Sequence, residues 1–172
     1  MDSSNNRIKS FLYEYTAVIL LYASILNEID FNNLGLKYFS FNFSYILIFY
    51  YSLRRKEGIG YVSIFIAGLF NDTVVGIPMG ISSLSYLLLC AFAAYLRNIT
   101  LRPNLIKDWL FFLFTILVLN FISFTVLITI FSYEIDYFNQ IINIIFTFLL
   151  YLFFSYIFNF YDQVVLGRYD AR

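Results

Sequence analysis

Histidine is absent from this chain, and cysteine occurs once, at Cys90. These absences exclude a disulfide within the chain and leave no metal site built from His and Cys; they also remove the side chain most often used for proton transfer near neutral pH. Charged residues make up only 13%, against a usual share of about 25%. The 11 basic and 11 acidic residues cancel, so charge gives no argument for nucleic-acid binding.

Hydrophobic residues, by contrast, make up 61% of the 172 residues. So apolar a chain cannot cover itself with polar groups in water, and we predict that its solvent is the lipid bilayer. A membrane-spanning helix needs about 20 mainly apolar residues. The sequence therefore predicts an all-α integral membrane protein, a single membrane domain over residues 1–172 with six transmembrane helices. The predicted spans are Ile8–Leu26, Leu36–Leu53, Ile59–Val75, Pro78–Leu96, Trp109–Phe131 and Ile141–Phe160.

The basic residues predict the orientation of these spans, because cytoplasmic loops carry an excess of Lys and Arg. If the six spans cross in turn, ten of the 11 basic residues fall on one side, and Lys37 alone falls on the other. Both termini are therefore predicted to be cytoplasmic. The ten residues are Arg7, Lys9, Arg54, Arg55, Lys56, Arg97, Arg102, Lys107, Arg168 and Arg172.

The third and fourth predicted spans share only the 38 residues of Ile59–Leu96, so the turn between them must be tight. Gly76 can adopt the left-handed conformation that ends a helix. Pro78 suits the first turn of the following helix, where its missing N–H has no cost. The serines that follow can satisfy free backbone groups or bond a neighbouring helix; they are Ser82, Ser83 and Ser85.

The same turn carries the one motif with chemical content. Gly68, Asp72, Gly76 and Gly80 lie four residues apart, and Asn71 precedes the acid. Four-residue spacing keeps side chains near one helix face, and small residues there let another backbone come close. One interpretation is a packing or partner-binding hinge across which Asp72 forms a bond. The other is an ordinary helical hairpin with Asp72 solvated at the outer interface, and the spacing alone leaves both open.

The stretch from Gly68 to Leu88 resembles the rod shape-determining protein MreD family. That family carries a G-x-x-x-D-x-x-x-G-x-x-x-G run in its middle, followed by a helix with small residues. The chain length, the six spans and the short basic loop before the motif also agree. One departure is at Leu36-Lys37-Tyr38-Phe39, where relatives often have a proline that starts the second span.

This resemblance implies a non-enzymatic, multi-pass subunit of the bacterial cell-elongation complex in the inner membrane. Its expected partners are a bitopic MreC-like protein and, directly or indirectly, an MreB-like filament and the peptidoglycan synthases. The implied fold is a helix bundle similar to the substrate-binding subunits of energy-coupling-factor transporters. That similarity supplies the alternative function, a small-molecule (vitamin-type) binding subunit of a membrane transporter.

The sequence weighs against two rival functions to different degrees. An intramembrane enzyme is least favoured, because there is no His, no acid pair within one span and no Ser with an identifiable base; no catalytic residue, metal or cofactor is predicted. A transporter subunit needs a cavity lined by several polar groups, and the outer half of the chain offers a small set, Asp72, Asn71, Lys37 and the 132–140 loop. It is also expected to carry an alanine-rich motif in its first span, whereas Ala17 and Ala23 stand isolated among bulky residues.

The candidate residues follow from these arguments. Two secondary candidates lie elsewhere in the spans. Glu14 in the first span either forms an intramembrane ion pair or partner contact or reaches the cytoplasmic headgroups, and the second interpretation is favoured. Asn120, central in the fifth span, is predicted to face the bundle as a packing contact, and Asn42 in the second span is a similar case. A bitopic partner's helix is expected to fit the groove beside the primary candidates, which are Gly68, Asn71, Asp72, Gly76, Pro78 and Gly80.

Overall fold

The computed structural model of the chain describes residues 15–25, 41–54, 59–100, 104–133 and 136–165. Within these ranges the chain forms α-helices and no strand, which confirms the predicted all-α class for this part of the chain. The helices are α1 (Tyr15–Ile25), α2 (Phe43–Arg54), α3 (Tyr61–Val75), α4 (Ile81–Ile99), α5 (Leu105–Phe131) and α6 (Tyr137–Val165).

Two of these helices, α5 and α6, are long and apolar enough to cross a membrane. Both expose large apolar side chains; Phe121 on α5 is 72% exposed and Phe153 on α6 is 59% exposed. Soluble monomers rarely expose extended apolar patches of this kind. α1 and α3 are apolar too, but their described lengths are shorter.

α2 is the central helix of the described bundle. Nine of its 12 residues are buried, as expected of a helix that is apolar on all sides. It packs against α4 and α6, and the hydroxyls of Ser24 on α1 and Ser44 on α2 lie 2.7 Å apart. The rings of Phe49, Phe112 and Tyr151 join α2, α5 and α6, with the last two stacked at 4.5 Å.

The predicted second span, Leu36–Leu53, is wrong as one continuous helix. Phe41 and Asn42 are not helical, and α2 begins at Phe43. The reason is local, because the Asn42 side-chain oxygen accepts a hydrogen bond from the Tyr45 N–H at 3.2 Å and so caps the first turn. Residues 36–40 lie outside the described part of the chain.

The other boundaries differ from the prediction by a few residues, apart from two exact agreements. α3 ends at Val75 and α5 ends at Phe131, both as predicted. α5 begins at Leu105 rather than Trp109, because the Asn104 side chain accepts from the Ile106 N–H at 3.0 Å. α6 extends beyond the predicted Ile141–Phe160 at both ends.

Successive helices from α2 to α6 alternate in direction. The starts of α2, α4 and α6 and the ends of α3 and α5 all line one cavity. At the opposite end, the Arg97 guanidinium donates to the Ser52 carbonyl at 2.8 Å, which ties the end of α4 to the end of α2. The basic residues of the described ranges, Arg54, Arg97 and Lys107, all lie at this second end.

Candidate functional site

Gly68 lies where α3 and α4 come into backbone contact. A β-carbon at this position would lie 2.4 Å from the Ser83 Cα atom and 2.5 Å from the Ser83 nitrogen, far inside van der Waals contact. The Ser83 hydroxyl donates to the Phe65 carbonyl of α3 at 3.0 Å, so the same close approach also satisfies a polar side chain. The helix that approaches Gly68 is therefore α4 of the same chain.

Asp72 is completely buried in this seam. Its Oδ2 atom accepts a hydrogen bond from the Gly80 N–H at 2.6 Å, and its Oδ1 atom accepts from the Ser82 N–H at 2.8 Å. Free N–H groups at the start of a helix need such partners, and a carboxylate there also interacts favourably with the helix dipole. Asp72, a residue of α3, thus caps α4, and it is not solvated at an interface.

The turn between the helices depends on two glycines with left-handed conformations. Gly76 has a φ of 75°, as predicted, and both it and Ile77 donate their N–H groups to the Asp72 carbonyl, at 3.0 and 3.1 Å. Gly80 has a φ of 103°. A β-carbon at either glycine would meet no atom within 4 Å, so these positions require glycine for its backbone conformation rather than for space.

Pro78 lies inside this turn, and the prediction that it starts the next helix is wrong. α4 begins at Ile81. The left-handed Gly80 cannot continue a helix, and the two hydrogen bonds to Asp72 fix the first helical turn after it. Asn71 completes the seam by donating its amide to the Ser82 hydroxyl at 3.0 Å.

The structure thus brings the six primary candidates together in one hairpin. However, the groove that Gly68 and Asp72 were expected to leave for a partner's helix is filled by α4, because Ser83 packs directly against Gly68. A partner-binding role for the motif stays a prediction.

A cavity of about 390 Å³ opens beside the hairpin turn. Its wall draws on five helices and on the turns at their ends, and it is unusually polar for the interior of so apolar a bundle. The polar lining residues are Asn42, Tyr45, Asn71, Ser82, Ser85, Asn120, Ser123, Tyr133, Asp136, Gln140, Asn143 and Thr147. The apolar lining residues are Val75, Ile77, Ile81, Ile116, Phe124, Leu127 and Ile144.

Hydrogen bonds hold the polar wall in place. The hydroxyls of Ser85 on α4 and Ser123 on α5 lie 2.9 Å apart. The Thr147 hydroxyl accepts from the Asn42 N–H at 2.8 Å and so joins α6 to the start of α2. Asn120 faces the bundle and lines the cavity, although its amide donates to the Ile116 carbonyl of its own helix at 2.8 Å.

Sequence reasoning identified Asn71 and the 132–140 loop as polar groups for a cavity. It missed the polar faces of α5 and α6, although one signal for them was present. Gln140, Asn143 and Thr147 occupy positions i, i+3 and i+7 of α6, and Asn120 and Ser123 are likewise three apart on α5. Such spacing puts polar side chains on one face of an apolar helix, and polar residues inside a membrane normally face the protein interior.

Glu14 lies outside the described residues. Among the residues that are described, no cluster of three or more His, Cys, Asp or Glu side chains could hold a metal ion. Cys90 is buried between α4 and α2, where its sulfur accepts a hydrogen bond from the Ser52 hydroxyl at 3.2 Å.

Comparisons with known proteins find no relative of this chain. The chain matches no protein-family model, no curated protein and no solved structure.

Proposed function

We propose that the chain is a non-enzymatic, multi-pass inner-membrane subunit of the bacterial cell-elongation complex. It supports peripheral peptidoglycan synthesis through a bitopic MreC-like partner, and it reaches the MreB-like filament and the peptidoglycan synthases directly or indirectly. This function comes from the resemblance to the MreD family.

The observation that carries the proposal is the hairpin that the motif builds. Gly68 permits backbone contact, Asp72 caps the following helix, and Gly76 and Gly80 supply the two left-handed conformations. Each position of the G-x-x-x-D-x-x-x-G-x-x-x-G run therefore has a physical requirement that few other residues meet. Because every position of the run has a structural role in this hairpin, the match to the MreD family pattern supports common descent better than a chance spacing of glycines would.

The subunit is proposed to cross the membrane six times with both termini in the cytoplasm. The length and apolar character of α5 and α6 support embedding in a membrane. The position of Arg54, Arg97 and Lys107 at one end of the bundle supports the orientation, because the cytoplasmic side carries the excess of basic residues. The cavity then lies at the outer end.

Two asparagines at opposite ends of the bundle test this topology. Asn139 in the first turn of α6 and Asn98 in the last turn of α4 are both exposed. On a Cys90→Ala background, Asn139→Cys is expected to react with a membrane-impermeant maleimide in intact cells. Asn98→Cys is expected to react only after permeabilisation. Labelling in the reverse order would contradict the orientation, and labelling of both in intact cells would contradict the membrane crossing.

The partner prediction is tested by co-purification. The tagged full chain is co-expressed with the bitopic MreC-like protein of the same genome and extracted in mild detergent. We expect the two proteins to elute together, because the segments that join the helices are too short to form a separate binding domain and contact is expected through helix faces and short loops. An unrelated bitopic protein at the same expression level is the control. Elution of the tagged chain without the MreC-like protein would contradict the proposal.

A second candidate function is favoured by one observation, the polar cavity. Its volume of about 390 Å³ falls within the range of small-molecule sites, roughly 300–1,000 Å³, as a vitamin-type binding subunit of a transporter requires. The same co-purification separates the two functions. A transporter subunit is expected to elute with a membrane-coupling protein and its ATPases, and not with the MreC-like protein.

A further inference from the structure

We infer that the cavity beside the α3–α4 turn is a binding site for an uncharged molecule that carries hydroxyl or amide groups. The elongation-complex proposal requires no small ligand, so this inference goes beyond it. It rests on the chemistry of the cavity wall.

The wall is dominated by groups that both donate and accept hydrogen bonds. Five of the lining side chains are carboxamides, each with two N–H donors and an acceptor oxygen, and six more carry hydroxyls. A sugar hydroxyl or an amide on the ligand also donates and accepts hydrogen bonds, so it can pair with such groups in several orientations. The carboxamides are Asn42, Asn71, Asn120, Gln140 and Asn143.

Formal charge is almost missing from the wall. No Lys or Arg is among the described residues that line the cavity, and Asp136 supplies the one carboxylate. Asp136 is exposed at the rim, and its oxygens already accept from the Asn139 amide at 2.6 Å and from the Asn139 N–H at 3.3 Å. Among the described residues, the buried carboxylate nearest the wall is Asp72, and both of its oxygens already accept backbone N–H groups at the start of α4. An anion would meet only negative charge, and a cation would find no carboxylate that is not already bonded, so either would lose its hydration with little compensation. The wall therefore selects neutral ligands.

The lining also contains apolar side chains, among them Ile116, Phe124 and Leu127 from α5 and Ile144 from α6. Such side chains can pack against the ring face or the hydrocarbon part of an amphipathic ligand, while the amides and hydroxyls of the wall form hydrogen bonds with the ligand's polar groups. Because the cavity is at one end of the bundle, this chemistry can arrive either as a free solute or as the neutral headgroup of a glycolipid.

The experiment compares neutral probes with charged probes of matched size. The purified full chain is heated in detergent with N-acetylglucosamine or glucosamine, and with nicotinamide or nicotinate, each at millimolar concentration. A second arm uses nanodiscs that contain monoglucosyl diacylglycerol or phosphatidylglycerol. We expect at least one neutral probe to raise the unfolding midpoint by about 2–4 °C, and its charged counterpart to raise it less than half as much.

Variants locate the site. Asn120→Leu and, separately, Gln140→Leu remove amides from the wall, and each is expected to lower the ligand-induced shift at least threefold. Asn98→Leu is the matched control, because Asn98 is exposed at the opposite end of the bundle, and it should keep the full shift. The shift is measured against each variant's own ligand-free midpoint, so a change in basal stability does not affect it. If one of the two wall variants fails to fold, the other still tests the site.

Each outcome decides the inference. A shift with a free neutral solute identifies a soluble ligand, and a shift only with the glycolipid identifies a lipid headgroup. No shift with any neutral probe overturns the site, as does an equal shift with the charged counterparts or a shift that survives both wall variants. Co-purification with the bitopic protein is measured separately, so failure of this inference leaves the proposed function standing, and the reverse also holds.

Discussion

Gly68→Ala is expected to force α3 and α4 apart and to destabilise the protein by about 1–3 kcal/mol, the usual range for overpacking a well-packed site. The new β-carbon would lie 2.4 Å from the Ser83 Cα atom. The Ser83 Cα atom belongs to the backbone, so no flexible side chain can move aside, and the helices themselves must shift. Alanine is the better helix former by about 1 kcal/mol, so a net loss of stability means that the clash outweighs this gain.

Gly60→Ala is the matched control for this prediction. A β-carbon at Gly60 would lie 3.9 Å from the Ser63 hydroxyl oxygen, which is ordinary contact. Because Gly60 is the N-cap of α3 and alanine is a poorer N-cap than glycine, we expect a loss of about 0.5 kcal/mol, smaller than that at Gly68. The measurement is the thermal unfolding midpoint of each purified variant in detergent, together with its level in the membrane. If Gly68→Ala and Gly60→Ala unfold at the same temperature, the α3–α4 contact is looser than the structure has it.

The sequence predicted those features of the fold that depend on local pattern. Helical class follows from long apolar segments, and the end of α3 at Val75 follows from the glycine after it, because Gly76 adopts a conformation that few other residues tolerate. Close packing at Gly68 follows from small-residue spacing. These signals lie within a few residues of the feature that they predict.

Features that depend on contacts between helices were predicted poorly. The start of α4 moves from Pro78 to Ile81 because a side chain of α3 caps it, and no local pattern identifies Asp72 as that cap. The cavity is a stronger case, since its polar wall is assembled from five helices. From the sequence, Asn120 and Asn42 were each predicted to be packing contacts. That both line one cavity is visible only when α2, α5 and α6 are packed side by side.

Asp72→Leu is expected to destabilise the hairpin more than Asp72→Asn does, even though leucine suits a bilayer better. The leucine leaves the N–H groups of Gly80 and Ser82 without their acceptors, and a buried unsatisfied donor costs about 1–3 kcal/mol. Asparagine keeps one acceptor oxygen, but its NH₂ group faces the second N–H group, so one donor loses its partner. Asparagine also lacks the negative charge that favours the start of α4.

Asp136 supplies the control, because it caps a helix at the same end of the bundle but is exposed. Water can replace its side chain, so Asp136→Leu should cost about 1 kcal/mol or less. The expected order of unfolding midpoints, from lowest to highest, is Asp72→Leu, Asp72→Asn, Asp136→Leu. A wild-type midpoint for Asp72→Asn would mean that one oxygen is enough and that the charge has no role. If Asp72→Leu unfolds no earlier than Asp136→Leu, the buried carboxylate does not hold the turn.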